Sequence, residues 1–366
     1  MKATGTIPLY DPRPEVEDLW DELNEAIQGV LRSGQFILGP NVEAFEEEVA
    51  TYLGVKYAIG VNSGTDALVI GLRALGIQPG DEVITTPFTF FATAEAISNI
   101  GANPVFVDVE PDTFNIDPNL IPEAITDRTR AILPVHLFGH PCDMDPILKI
   151  AVEHDLKVLE DTAQAFGAAS KGRKAGAMGD AGAFSFFPTK NLGGFGDGGM
   201  LATNDAEVAR VARMLRAHGS EAKYHNEVLG YNSRLDEMQA AILRVKLHHL
   251  DENNDARRNV AERYRRAFAG IPGIVVPAER EGERHVFHQY ALLVQDGRRD
   301  AVRAAAADAG VSTTVYYPTP VHKLPVYAHL GARAPVAERI ATEIVCLPLW
   351  ARIEPSVQER VVSAFR

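Results

Sequence analysis

Between residues 56 and 203, short apolar runs alternate with stretches of helical spacing, and this alternation limits the fold more than any other feature. KYAIGV, DEVITTP, NPVFVDV, TRAILPVHL and LKVLED read as strands, while TDALVIGLRALG, FATAEAISNIG and PILKIAVEHD read as the helices among them. Strands joined through helices cannot pair as hairpins. They form a parallel or mostly parallel sheet with helices on both faces, an α/β fold. GDAGAFSFFP and GGMLATN add two strands that flank a glycine-rich turn carrying Lys190.

Upstream, Val16, Leu19, Leu23, Ile27 and Leu31 place a helix over 14–32, SGQFILGP is a turn-rich connector, and NVEAFEEEVATYLG is a second amphipathic helix. Downstream, DAEVARVARMLRAHG and a long run from DEMQ to residue 271 are helical, the second long enough to bridge two domains. The pattern then changes to a strand (HQYALLVQ), a helix (RRDAVRAAAADAG) and a strand (STTVYYP). A chain of 366 residues suits one large and one smaller domain, expected over 1–250 and 251–366.

Composition removes several classes of function. No apolar run approaches the ~20 residues that span a bilayer, so no membrane partner is expected. MKATGTIPLYDPRPEVEDLW lacks the apolar segment of a signal peptide. Two distant cysteines, Cys142 and Cys346, form neither a disulfide framework nor a zinc site, which makes the cytoplasm the default compartment. A net charge of −13 and a pI near 5.3 argue against a general nucleic-acid binder. There is no Walker motif and no H-E-x-x-H, and GGFGDGG precedes a strand, whereas a dinucleotide fingerprint opens a helix. No metal site is expected, because His136 and His140 flank a strand end and a turn instead of sharing a helix face.

Three polar clusters fall at strand ends, where ligands of such sheets bind. Asn62-Ser63-Gly64-Thr65-Asp66 opens a helix, whose free N–H groups and dipole favour an anion; a plain N-cap gives the same pattern. Glu160-Asp161-Thr162-Ala163-Gln164 ends LKVLED, and a carboxylate there needs a partner or serves as a cap. Lys190 follows the apolar FSFF; desolvation would favour its neutral, nucleophilic amine, and an exposed loop lysine is the plainer alternative. One ligand accounts for all three clusters. Pyridoxal 5′-phosphate has a phosphate for the helix start, a pyridinium for the carboxylate and an aldehyde for the lysine. Phe88, Phe90 and Phe91 in TTPFTFFAT are candidates to cover its ring, with core packing as their alternative role.

These residues resemble the DegT/DnrJ/StrS sugar aminotransferases, fold type I pyridoxal-phosphate enzymes, from about residue 7 to the C-terminal end. The resemblance is carried by SGQFILGPNVEAFEEEVA, VNSGTDAL, GDEVITTPFTFFATAEAI, PVHLFGHPCDMD, EDTAQAFGA, FSFFPTKNLGGFGDGGM, GYNSRLDEMQAAIL and YYPTPVHKLP. It implies a large domain with a mostly parallel seven-stranded sheet and a smaller C-terminal α/β domain. It implies that Lys190 bonds the cofactor and moves the proton, that Asp161 partners the pyridinium, and that Gln164 lies near the ring hydroxyl. Gly64, Thr65 and Ser185 match phosphate contacts, and Phe90 matches the stacked aromatic. Asn232 matches an asparagine that reaches the phosphate of a neighbouring subunit, which implies a homodimer with shared active sites.

The implied reaction takes the amino group of L-glutamate, stores it as pyridoxamine 5′-phosphate, and delivers it to a keto carbon of a nucleotide-linked hexose for amino-sugar biosynthesis. Related dehydratases carry histidine at the position of Lys190, so lysine favours transamination. NSRLDEMQAA, SGQFILGP and Y-P-T-P-V-H resemble members that aminate carbon 3; a 4-keto sugar, a cyclitol or a non-catalytic regulatory role are the alternatives. Arg234, Tyr316, Tyr317 and His322 are the candidate substrate contacts. Tyr316-Tyr317-Pro318 departs from the His-Tyr-Pro of many 3-amino relatives.

Overall fold

The computed structural model describes residues 5–222 and 224–365, so residues 1–4 and 366, at the outer ends of the two expected domains, lie outside the described residues. Seven strands form the central sheet: β1 (Tyr57–Val61), β2 (Glu82–Thr85), β3 (Asn103–Phe106), β4 (Thr129–Leu133), β5 (Lys157–Asp161), β6 (Ala181–Ser185) and β7 (Gly199–Thr203). Their order is β1-β7-β6-β5-β4-β2-β3. β7 runs antiparallel to both neighbours and every other pair is parallel. The reversal follows from the connection: the glycine-rich turn after β6 carries no crossover helix, so the chain returns beside β6. β2 and β7 are buried along their whole lengths, as strands covered on both faces must be.

The N-terminal helices are α1 (Arg13–Asp18), α2 (Trp20–Ser33) and α3 (Pro40–Leu53). α4 (Gly64–Ala74), α5 (Ala92–Asn99), α6 (Met144–Glu153) and α7 (Ala206–Arg216) accompany the sheet. Two expected helices are broken. The helix over 14–32 divides at Leu19, and the long run divides at His249 into α8 (Glu237–His248) and α9 (Leu250–Phe268). Leu19 sits at the first break with Leu23 just beyond it, and Leu247 and Leu250 flank the second; all four are buried, so apolar spacing continues across both breaks and conceals them.

A carboxylate from α8 starts α3. Glu237 accepts from the N–H groups of Gly39 at 3.1 Å, Asn41 at 2.6 Å and Val42 at 3.1 Å. Pro40 at the first helical position has no N–H to satisfy. This joins the N-terminal segment to α8.

In the C-terminal third, β8 (Ile274–Val275), β9 (Tyr290–Val294) and β10 (Ile344–Leu347) form an antiparallel sheet with β9 in the middle, next to α10 (Arg299–Asp308) and α11 (Pro335–Glu343). The expected strand STTVYYP is not one. It touches the sheet at a single bridge, Thr314 to Cys346, and IVCL supplies the third strand instead. Past Thr314 the chain leaves the sheet and brings Tyr316 and Tyr317 to the cavity described below. No helix among the described residues is long and apolar enough to cross a membrane.

Candidate active site

Beyond the carboxyl ends of β1, β2, β4, β5 and β6 lies a cavity of ≈ 410 Å³. Ser63, Gly64 and Thr65 line it at the start of α4, Asp161 and Gln164 at the end of β5, and Ser185 and Lys190 after β6. The first N–H groups of a helix have no intrahelical acceptor, and Ser63 Oγ takes only one of them, from Asp66 at 3.1 Å. Close packing brings this helix start to β6: a Cβ on Gly64 would stand 2.6 Å from Ser185 Cβ. Thus glycine is needed here for space.

Neighbouring carboxylates at the end of β5 take opposite faces, as alternation along a strand requires. Asp161 lines the cavity. Its Oδ2 accepts from Thr93 Oγ1 at 2.8 Å and its Oδ1 from the Ala163 N–H at 3.1 Å. Burial raises its pKa, against those hydrogen bonds and the charge of Lys190. Glu160 turns away and accepts from the N–H groups of Gly176, Met178 and Gly179 at 2.8, 2.7 and 2.7 Å, with His136 Nε2 at 2.9 Å. His136 Nδ1 accepts from the Cys142 N–H at 2.9 Å, so the ring proton sits on Nε2. His140 stands 3.0 Å from Glu283. Both histidines thus have structural partners.

Lys190 follows the aromatic end of β6, and burial lowers its pKa to about 8 against the pull of Asp161. The turn beyond it is tied to α8. Lys246 Nζ donates to the Gly193 carbonyl at 2.7 Å, and Gln239 Oε1 accepts from the Phe195 N–H at 2.7 Å. A Cβ on Gly193 would come within 2.5 Å of the Pro188 carbonyl oxygen, so the turn is glycine-rich because it is tight.

The three phenylalanine candidates separate clearly. Phe88 is fully buried, Phe91 packs on Tyr327, and Phe90 lines the cavity with 59% of its surface exposed. Gln164 is fixed at both ends: Oε1 accepts from the Phe138 N–H at 2.8 Å and Nε2 donates to the Tyr317 hydroxyl at 3.0 Å. Burial pushes the Tyr317 phenol upward, which keeps it protonated near neutral pH. Tyr316 lines the same cavity.

Three candidates lie elsewhere in the chain. Asn232 is exposed and its amide oxygen accepts from Arg234; neither residue lines the cavity. His322 is also not brought there: it is buried against Phe106, with Nε2 3.1 Å from Glu338 Oε1. Sequence reasoning missed Thr89, Thr93, Asp197, His288 and Gln289, which do line the cavity. His288 is held well below its ordinary pKa by burial and by the positive charges of Lys190 and Arg257, so its ring is neutral near pH 7. The four-residue spacing of Thr89 and Thr93 was the only available signal, and helices hold many such pairs.

A mostly parallel sheet with one reversed strand, and a lysine and a carboxylate facing one cavity at its carboxyl edge, define the fold type I aminotransferase class. The chain belongs to the DegT/DnrJ/EryC1/StrS aminotransferase family, whose profile matches residues 17–366. It is 48% identical to a pleiotropic regulatory protein of Geobacillus stearothermophilus, over 97% of this chain and 96% of that one. It is 46% identical to the UDP-N-acetyl-3-dehydro-alpha-D-glucosamine 3-aminotransferase of Acidithiobacillus ferrooxidans, over 100% and 99% of the two chains. The crystal structure of S. venezuelae DesV in complex with a ketimine intermediate superposes with a TM-score of 0.96 at 46% identity, covering 99% of this chain and 98% of that chain.

Proposed function

We propose that this chain is a pyridoxal-phosphate-dependent aminotransferase that moves the amino group of L-glutamate to carbon 3 of a nucleotide-linked keto-hexose. One observation carries the reading: Lys190, Asp161 and the open start of α4 face a single cavity. The donor set suits the cofactor, with N–H and hydroxyl donors for its phosphate, a carboxylate for its ring nitrogen and an amine for its aldehyde. The choice of carbon 3 is supported by the Acidithiobacillus relative, named a 3-aminotransferase.

Bound pyridoxal phosphate supplies an aldehyde that bonds amines and a ring that takes up the electron pair of the carbon losing its proton. In this reading, Gly64, Thr65 and Ser185 anchor the phosphate and Phe90 covers the ring. Asp161 would accept from the ring nitrogen, and Gln164, braced by Phe138 and Tyr317, would serve the ring hydroxyl. Lys190 Nζ would take the proton from the donor carbon as general base and, as general acid, pass it on to the cofactor. Its lowered pKa serves both roles near neutral pH.

The same reading makes the molecule a homodimer in which Asn232 and Arg234 serve the partner's site. It is supported by their position outside their own cavity and by the exposed Phe36, Ile37 and Leu38 of the connector before α3. Residues 251–366 act in it as the smaller domain, with Tyr316 and Tyr317 reaching the sugar side. Two free, buried cysteines accord with a cytoplasmic enzyme.

The test is a product assay with L-glutamate and a panel of 3-keto and 4-keto nucleotide sugars, the new amine located by NMR. Amination at carbon 3 is expected. Amination at carbon 4 alone, or of a cyclitol alone, would reassign the substrate. A regulatory role would leave every acceptor unchanged.

A further inference from the structure

Two buried threonines that have no place in the reaction so far stand in line behind Asp161. Thr93 Oγ1 donates to Asp161 Oδ2 at 2.8 Å, and Thr89 Oγ1 lies 2.9 Å from Thr93 Oγ1. Thr89 is 2% exposed and Thr93 1%. A hydroxyl has one proton, and that of Thr93 is committed to the carboxylate, so the proton between the two threonines must come from Thr89. The chain of donors therefore runs one way, from Thr89 to Thr93 to Asp161. The second carboxylate oxygen is held by the Ala163 N–H, which leaves further lone pairs on both oxygens for a donor in the cavity.

One short segment also ties this chain to the ring face. Phe90 lies between the two threonines in sequence, and its carbonyl accepts from the Thr93 N–H at 3.2 Å, closing the turn that begins α5. The aromatic that lines the cavity and the hydroxyl that grips Asp161 are thus set by the same few residues. Each donor in the line matches an anionic acceptor; a protonated Asp161 would bring a second proton to a site already supplied with them.

Resting on the pyridoxal-phosphate reading above, we propose that Thr93 is a positioning residue. Its hydroxyl, oriented by Thr89, fixes the Asp161 carboxylate as an acceptor for the ring nitrogen of the cofactor. Thr93 need not touch the substrate, and its effect reaches the reaction through Asp161.

Thr93→Val keeps the shape and removes the donor, whereas Thr93→Ser keeps the donor and removes the methyl group. In holoenzyme, Thr93→Val is expected to raise the dissociation constant for pyridoxal phosphate by about tenfold or more, the range of a hydrogen bond to a charged group. It should lower kcat while leaving KM for the amino acceptor in place, and Thr93→Ser should restore both. Thr89→Val acts one bond further away and should weaken retention by about threefold. Retention and kcat of Thr93→Val equal to wild type would overturn the proposal. So would impairment of Thr93→Ser alongside normal Thr93→Val, which marks packing. If Thr93→Val does not fold, Thr89→Val decides: unchanged cofactor retention overturns the chain of donors. Wild-type protein that takes up no pyridoxal phosphate would instead refute the cofactor reading itself.

Discussion

Burial lowers the pKa of Lys190 to about 8, and the negative charge of Asp161 opposes that shift. Only the neutral amine attacks an aldehyde, so cofactor uptake by cofactor-free protein should accelerate as pH rises, half-maximal near 8. A rate that still climbs toward pH 10.5, the ordinary lysine value, would mean that the amine is fully solvated. Phe90 offers a largely exposed ring to the cavity, and a stacked pair of rings contributes ~1 kcal/mol beyond its buried area. Phe90→Ala should therefore weaken cofactor retention by roughly fivefold, read by equilibrium dialysis; equal retention would remove the stacking role. Lys190 and Asp161 were legible only in combination with the helix start at Gly64-Thr65, because one ligand accounts for all three clusters. Thr93 was not, because a hydroxyl on a helix resembles any other small core residue until its partner is seen.

The strands of the central sheet were readable because both faces are covered, which makes each strand a short apolar run between turns. Helix breaks at Leu19 and His249 were hidden by apolar spacing that continues across them. STTVYYP misled for another reason: its β-branched and aromatic residues fit a strand, but Tyr317 is drawn to Gln164. The start of α3 depends on Glu237, almost two hundred residues away, which no local rule could locate. Glu237→Ala leaves the N–H groups of Gly39, Asn41 and Val42 without that acceptor and should cost about 2–4 kcal/mol. Denaturant unfolding should show a lower midpoint at unchanged slope. A loss under about 0.5 kcal/mol would show that water replaces the carboxylate.

At the scale of the whole molecule, the proposed homodimer has two chains at each working site. A mixture of Lys190→Ala and Asn232→Ala chains, each inactive alone, should recover up to about a quarter of wild-type activity after subunit exchange. Half the dimers are then mixed, and each mixed dimer has one intact site. No recovery after proven exchange would confine each site to one chain. In the proposed function Lys190 carries out an amino transfer, and a single half-reaction tests it. Holoenzyme mixed with L-glutamate and no acceptor should release one 2-oxoglutarate per protomer, while Lys190→Ala should release none. An absence of 2-oxoglutarate from wild type, or an equal yield from the Lys190→Ala variant, would contradict the account.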